Sequence, residues 1–389
     1  MNVRDEDARR LLEKYRNAPA ELVDRPAAAA PVFDDAPRPQ PPANPAPRWA
    51  PPEHDRLGGG GAQPRQMSHA APPATLPDSR TGGAGPGDTT RSARIGVRTE
   101  GPQQGWRAFV NRFGLNLPKG PSEIHYDRCV AQIQRTLRGP KTIAILSGKG
   151  AGGKTTTTLN MGATMATHQR GLKIVAASID PLGNITDRTR GVNSQPPRSV
   201  VSLASDPNLH RDSDVSSYLL TDRSGLRVLG ASSADGAGFL TPDKLERAMT
   251  VLRDYFNITL IDFGLNIDSP VFHTGLALAD QLVLTAATTA DSIDELHVLI
   301  NTLKRFGGKY IDLLHGAVVV FVQTHPGRGH IDVAAERTRI VDAYSTPVVT
   351  IPWDAHISEG GPMSLDLVDH TTQLPYVWLA AEVMSKLPD

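Results

Sequence analysis

The sequence predicts an α/β domain with a doubly wound, mostly parallel sheet, preceded by a long disordered N-terminal region. Three observations support this fold class. From Lys141 onward, short apolar runs rich in β-branched residues alternate with helical patterns, as in repeated βα units. A glycine-rich loop joins the first of these runs to the first helix. Residues 17–100 contain half of the chain's 32 prolines and little apolar periodicity, which is typical of disorder.

Composition limits the class of protein. The chain has 389 residues, more than a single typical domain, and a formal net charge of zero. This balance gives no global electrostatic case for binding nucleic acid or an anionic membrane. Cys129 is the only cysteine, so an intramolecular disulfide is excluded and a reducing cytoplasm is favoured. No apolar run approaches the roughly 20 residues that span a bilayer, and the charged N-terminus does not resemble a secretory signal.

Four segments follow from these patterns. Residues 1–16 predict a short amphipathic helix, which either stays solvated or docks on a partner. Residues 17–100 predict a disordered Pro/Ala/Gly-rich tether with polyproline character, with groove binding to a partner as the alternative. Residues 101–139 predict a helical lead-in, and residues 140–389 the α/β domain.

The lead-in has two parts. Trp106, Phe109 and Phe113 recur at helical spacing, so this stretch is expected to pack on the domain or on a partner rather than on a membrane. Residues 122–138 then predict a helix that Ser122 caps.

The predicted strands are apolar on both faces, as buried parallel strands are. They cover residues 142–146, 173–178, 226–230, 258–263, 281–287, 317–323 and 347–351. Helical patterns lie between them, after the glycine loop and at 245–255, 290–306, 331–344 and 371–386.

The glycine loop matches the phosphate-binding pattern G-x-x-x-x-G-K-[ST]. Its residues are Gly148, Lys149, Gly150, Ala151, Gly152, Gly153, Lys154 and Thr155. Backbone N–H groups of such a loop curl around an anion, and the N-terminus of the following helix adds its positive dipole. We expect Lys154 to reach the β- and γ-phosphates and the Thr155 hydroxyl to ligate Mg²⁺. The alternative, a βα turn that is merely rich in glycine, does not explain why Lys and Thr stand where they do.

Two acidic residues follow predicted strands. Asp262 ends the run ITLID, where a carboxylate that holds Mg²⁺ through water is expected, although a strand-terminal Asp also starts turns. Asp180 lies in SIDPLGN, where it either orients a water molecule for attack on the γ-phosphate or forms an Asp-Pro turn. The spacing of the residues alone supports these two interpretations of Asp180 equally.

These motifs resemble those of the MinD/ParA family of P-loop ATPases. The resemblance implies a P-loop NTPase fold of the SIMIBI type. Residues 149–155 resemble the deviant Walker A sequence KGGxGKT, with Ala151 in place of a glycine. SIDPLGN resembles the switch I sequence DxDPxGN, with Ser178 in place of the first acid, and Asp262 resembles the Walker B aspartate. Four further motifs resemble those of the MinD-like ATPases of actinobacterial type VII secretion loci, and they are less specific. They are IPWD (351–354), EGGP (359–362), LDL (365–367) and GWR (105–107).

The resemblance implies a role for each matching residue. ATP and Mg²⁺ are the implied ligands, and an ATP-dependent homodimer is the implied assembly. Lys149 would cross to the partner's nucleotide and stabilise the transition state, while Thr156 would contact the α-phosphate. The family's adenine-binding Asn is absent, so Gln323 is a candidate for its place, and Pro352–Asp354 would border the base. Loss of an acid at Ser178 predicts slow hydrolysis, and the extra methyl of Ala151 would alter how the two subunits approach each other.

The resemblance also frames the cellular role. We expect a cytoplasmic switch ATPase that positions or regulates a secretion or envelope machine through its N-terminal region. The C-terminus lacks a basic membrane-targeting helix, so membrane contact would be indirect, through a partner at the inner face. One alternative is a partition ATPase whose ATP dimer binds DNA, for which residues 303–309 offer little basic surface. A second is a pseudo-ATPase adaptor that only holds nucleotide. His325 and His330 are more consistent with a surface loop than with a metal site.

Overall fold

The computed structural model describes residues 121–193, 196, 198–232, 234–327 and 331–388. The predicted helix at 1–16, the predicted disorder at 17–100 and the first part of the lead-in, 101–120, lie outside the described residues. His330 also lies outside them. No helix in the described part of the chain is both long and apolar enough to cross a membrane.

The chain alternates strands and helices in the order that the sequence predicts. The strands are β1 (Lys141–Ser147), β2 (Ile174–Ser178), β3 (Leu220–Thr221), β4 (Arg227–Leu229), β5 (Ile258–Asp262), β6 (Gln281–Ala287), β7 (Val318–Val322) and β8 (Val348–Ile351). The helices are α1 (Pro121–Ile133), α2 (Lys154–His168), α3 (Val200–Ser205), α4 (Asp212–Ser216), α5 (Pro242–Tyr255), α6 (Pro270–Leu278), α7 (Ala290–Phe306), α8 (Lys309–His315), α9 (Val333–Tyr344), α10 (Ala355–Ser358) and α11 (His370–Lys386), with a 3₁₀ turn at Leu365–Leu367.

The strands form one eight-stranded sheet in the order β3-β4-β2-β5-β1-β6-β7-β8. All pairs are parallel except β3 with β4, so the predicted doubly wound, mostly parallel sheet is confirmed. After β1 the chain builds β2 to β5 on one side and β6 to β8 on the other. The loop that follows β1 therefore lies where the winding direction changes, the usual ligand crevice of such sheets.

Both faces of the sheet are buried, as the apolar strand sequences predict. Along β1, Ala144 and Leu146 join a core beneath helices α3 to α9, whereas Ile143 and Ile145 join a core beneath α1, α2 and α11. Side chains alternate between faces with a period of two, so a strand covered on both sides must be apolar at every position.

The lead-in helix is shorter than predicted. The helix α1 ends at Ile133, and Ser122 lies inside it rather than at its cap, so both parts of that prediction were wrong. The end is fixed by tertiary contacts, because the Gln169 side chain donates hydrogen bonds to the carbonyls of Ile133 and Arg135. Free carbonyls at the end of a helix need such donors.

Candidate nucleotide-binding site

The glycine loop leaves β1 at the carboxyl edge of the sheet, and α2 begins at Lys154. Gly153 precedes the helix with φ +85°, a left-handed conformation that favours glycine, and a Cβ there would lie 2.8 Å from Cγ2 of Val322. A Cβ on Gly152 would overlap the Ser147 side chain. The loop therefore needs glycine at both positions to bring backbone N–H groups close together.

The Thr155 hydroxyl and the Asp262 carboxylate, the two predicted metal ligands, contact each other at the carboxyl edge of the sheet. The Thr155 Oγ1 donates a hydrogen bond of 2.6 Å to Oδ2 of Asp262, whose residue exposure is 1%. The other oxygen, Oδ1, is buried and has no hydrogen-bond partner among the described residues. A buried carboxylate oxygen without a donor is costly, so this arrangement fits a cation or a cation-bound water molecule.

Burial dominates the acidity of Asp262 and raises its pKa to about 6. The Thr155 hydrogen bond and the charge of Lys154 act in the opposite direction, whereas the charge of Asp180 raises the pKa further. A divalent cation would reverse the balance, because it stabilises the ionised carboxylate that burial disfavours.

The protein supplies only part of a metal site. No group of three or more His, Cys, Asp or Glu side chains that could hold a metal ion occurs among the described residues. A Mg²⁺ ion at Thr155 and Asp262 would take its remaining ligands from phosphates and water, which is how Mg²⁺ usually binds in nucleotide sites.

Asp180 lies beside this pair, as the switch I prediction requires. Its Oδ1 accepts a hydrogen bond from the Leu182 backbone N–H at 3.1 Å, which is the local turn that the alternative interpretation predicted. A Cβ on Gly264, just after Asp262, would lie 3.4 Å from Cα of Asp180, so the segments that follow β2 and β5 touch. Asp180 therefore forms the predicted Asp-Pro turn and also lies close to Asp262.

A cavity of about 330 Å³ continues from the loop toward the ends of β7 and β8. It is lined by residues 151–156 of the loop and first helical turn, and by Gln323, Pro352 and Trp353. The structure thus places both candidate base-binding elements on the cavity. Asp354 fixes the second of them, because its carboxylate accepts hydrogen bonds from the backbone N–H groups of Ile357, at 3.0 Å, and Asp369, at 2.8 Å.

Comparison with known proteins gives matches to the part of the chain that contains this cavity. Residues 140–314 match the family model described as an AAA domain, AAA_31. The ESX-1 secretion-associated protein EspI of Mycobacterium tuberculosis is 30% identical over 286 residues, 72% of this chain and 42% of that protein. The chain thus spans less than half the length of this relative. The septum site-determining protein MinD of Helicobacter pylori is 30% identical over 142 residues, 35% of this chain and 50% of that protein.

In its glycine loop and in the segments that contain Asp180 and Asp262, the domain resembles P-loop ATPases of the MinD/ParA family. Among solved structures, Pyrococcus horikoshii MinD complexed with Mg-ADP covers 62% of this chain and 94% of its own, with 22% identity and a TM-score of 0.46.

Lys149, which resembles the signature lysine of the MinD/ParA family, contacts its own chain. The Lys149 ammonium forms an ion pair with the Asp291 carboxylate in the first turn of α7, and both side chains are exposed. The Lys149 hydrogen bond, with a second from Thr289, holds the pKa of Asp291 at about 2. Exposed ion pairs of this kind contribute little to stability, so Lys149 leaves Asp291 at little cost.

Ser178 departs from the MinD/ParA switch I sequence at a buried position. It pairs in register with Asp262 across β2 and β5, and its Oγ has no hydrogen-bond partner in the described part of the chain. A carboxylate here would face Asp262 and the charge repulsion would be strong. With serine at this position, no carboxylate on β2 lies in register with Asp262.

Ala151 adopts φ +60°, a conformation that is strained for residues other than glycine. We expect Ala151→Gly to stabilise the nucleotide-free protein by a few tenths to about 1 kcal/mol, because relief of this strain exceeds the entropic cost of glycine. Urea unfolding measures the difference. Ala335→Gly, at an exposed position within α9, is a control that should destabilise by about 0.5–1 kcal/mol. Equal destabilisation by both substitutions would contradict strain at Ala151.

Arg188 is a charged residue of the cavity that was not predicted from the sequence. Arg188 lies in the turn after switch I and lines the cavity beside Thr156. No phosphate-binding pattern includes it, because it is 34 residues from Lys154 and only the fold brings the two segments together. The nearest sequence signal was the run Thr186–Arg190, in which one acid is followed by two arginines, a pattern typical of a solvated turn.

Proposed function

We propose that this chain binds Mg-ATP and hydrolyses it slowly as a homodimeric switch. The observation that carries the proposal is the Thr155–Asp262 pair, with an unpartnered buried carboxylate oxygen, at the phosphate end of a cavity large enough for part of a nucleotide. A structural turn would leave no such oxygen, because buried acceptors normally find donors.

Each residue has a defined task in this proposal. Lys154 holds the β- and γ-phosphates, and the backbone N–H groups of residues 148–153 surround them. Thr155 ligates Mg²⁺ and Asp262 contacts it through water, so that the ion neutralises charge on the phosphates. Thr156 contacts the α-phosphate. Asp180, beside these groups, accepts a hydrogen bond from the attacking water and orients it.

The dimer in this proposal depends on Lys149. When a second copy meets the ATP-bound cavity, Lys149 leaves Asp291 and donates to the phosphates of the facing nucleotide. An exposed ion pair is exchanged for a charge-assisted contact with a more highly charged group, which favours the exchange.

Light scattering tests the switch on the purified full chain. We expect a monomer with Mg-ADP and a dimer with a non-hydrolysable Mg-ATP analogue. We expect Asp180→Ala to dimerise with Mg-ATP yet turn over about 100-fold more slowly, because misplacement of the attacking water has effects of this size. A chain that stays monomeric with every nucleotide would contradict the switch. Turnover that survives Asp180→Ala would contradict the task of Asp180.

The cellular task that we propose is regulation or positioning of a secretion or envelope machine through the N-terminal region. The name of the EspI relative, an ESX-1 secretion-associated protein, supports it. In the source organism, we expect chromosomal Lys154→Ala and deletion of residues 17–100 to reduce the same secreted proteins in the culture medium. Loss of chromosome or plasmid inheritance instead would favour a partition role.

No observation favours DNA binding over this task. In the segment 303–309, Lys304 lies 4.3 Å from the centre of the Tyr344 ring, and Lys309 donates to the Ala277 carbonyl. These cations therefore contact their own chain. An ATP-dependent, salt-sensitive shift of DNA would support the partition alternative. Nucleotide binding without any turnover would support the adaptor alternative.

A further inference from the structure

Arg188 is a cation that the described structure leaves without an anion. Its guanidinium makes two weak contacts, at 3.4 Å from Nη2 to the Thr156 hydroxyl and at 3.6 Å to the Met363 sulfur. Its Nε is buried and has no hydrogen-bond partner in the part of the chain that the structure describes. No carboxylate there forms an ion pair with it. A guanidinium has five N–H donors, so most of its capacity is unused.

The position of Arg188 is fixed by backbone contacts rather than by its side chain. The Met363 N–H donates to the Arg188 carbonyl at 2.8 Å, and the Arg188 N–H donates to the Asn184 carbonyl at 3.0 Å. Thr189 and Met363 form a parallel bridge. The fold therefore holds the arginine at the cavity without requiring its charge, and it maintains a partly buried cation there at an energetic cost.

That cost is offset if an anion enters the cavity. Burial lowers the pKa of Arg188 below its ordinary value, although arginine stays protonated at any physiological pH. The cavity that Arg188 lines also contains the phosphate-binding loop and the first turn of α2. The group next to its Nη2 is the Thr156 hydroxyl, in the first turn of that helix.

We propose that Arg188 binds the α-phosphate of the bound nucleotide. This inference rests on the proposed function, because it requires that the cavity holds a nucleotide. Arg188 and Thr156 would contact the α-phosphate together, while Lys154 holds the phosphates beyond it. Arg188 follows Asp180 by eight residues in the same segment of the chain. A contact between Arg188 and the nucleotide would therefore also hold the switch I turn, which contains Asp180, near the cavity.

Equilibrium binding to the full chain tests the contact. We expect Arg188→Ala to weaken binding of Mg-ADP by roughly 10- to 100-fold, the usual effect of losing a hydrogen bond between two charged groups. The loss should be equal for a non-hydrolysable Mg-ATP analogue, because both ligands carry the α-phosphate. Arg188→Lys should be intermediate. Arg190→Ala, an exposed arginine of the same turn that does not line the cavity, should bind as wild type does.

The two diastereomers of ADP with sulfur on the α-phosphate identify the group that is contacted. Each replaces a different non-bridging oxygen, so we expect the ratio of their affinities to change between wild type and Arg188→Ala. Thermal unfolding without nucleotide should show no loss of stability in Arg188→Ala, because the substitution removes a buried cation without an anion.

Three results would overturn the inference. One is a folded Arg188→Ala that binds Mg-ADP like wild type, and another is an unchanged diastereomer ratio. The third is a loss confined to the ATP analogue, which would place the contact on the γ-phosphate. A wild-type chain that binds no nucleotide would instead refute the proposed function, so the two failures are distinguishable.

Discussion

Replacing Lys149 by Ala is expected to reduce the rate of ATP hydrolysis by about 10³-fold, the lower end of the effect of a charge supplied across an interface. The substitution should leave the affinity for Mg-ADP near that of wild type, because Lys154 and the loop backbone make the contacts within one subunit. It should also prevent dimerisation with the non-hydrolysable ATP analogue. Phosphate release, equilibrium binding and light scattering measure the three effects.

Asp291→Asn is the matched control for that experiment, because it disrupts the same ion pair from the other side. It frees Lys149 without removing its charge, so hydrolysis should be retained or increased. The expected cost in stability is small, since both side chains are exposed. If Asp291→Asn lost activity as fully as Lys149→Ala, the ion pair itself would be needed, and a role of Lys149 at the facing nucleotide would be wrong.

Replacing Asp262 by Asn is expected to stabilise the nucleotide-free protein and to abolish its response to Mg²⁺. Burial raises the pKa of Asp262 to about 6, above the ordinary value of about 3.9 in an unfolded chain. The folded state therefore binds more protons than the unfolded state between these two values, and stability falls as pH rises through this window. Above about pH 7 the whole penalty applies, and Asn, which has no charge, avoids it.

The expected gain at pH 7.5 is about 1–3 kcal/mol in the free energy of unfolding, with the lower end reflecting imperfect replacement of the Thr155 hydrogen bond. The difference between the variant and wild type should become smallest below about pH 3, where Asp262 is protonated in both the folded and the unfolded state. Denaturant unfolding at several pH values measures it, and Asp268→Asn, at an exposed position, is the control. A variant less stable than wild type at pH 7.5, or one still stabilised by Mg-ADP to the same degree, would contradict this account.

Local patterns were sufficient for the regular elements of the sheet. The predicted strand 281–287 and helix 290–306 have the bounds of β6 and α7, because every residue of β6 is buried and α7 carries a regular apolar face. The predictions for the other long strands differ from the structure by one residue at one end or at both ends. Their sequences are apolar throughout because both faces of the sheet are covered.

Short elements were missed for a physical reason. The helices α3, α4, α8 and α10 have between four and seven residues, and β3 has two. Elements of this length complete no more than two turns or one pair of ladder bonds, so tertiary contacts rather than periodicity stabilise them. The helix α6 was also missed, although Ser269 and Pro270 form a typical start signal.

The sequence by itself determined the phosphate-binding loop, the order of strands and helices and the residues at the strand ends, because each depends on neighbours within a few positions. It also placed Asp262 and Asp180 at one edge, since parallel strands share their carboxyl ends. Only the tertiary structure decided that Lys149 rests on Asp291, that burial perturbs Asp262, and that Arg188 reaches the cavity. These facts arise from contacts between segments far apart in the chain, and burial and charge at such contacts depend on the packing of the whole sheet.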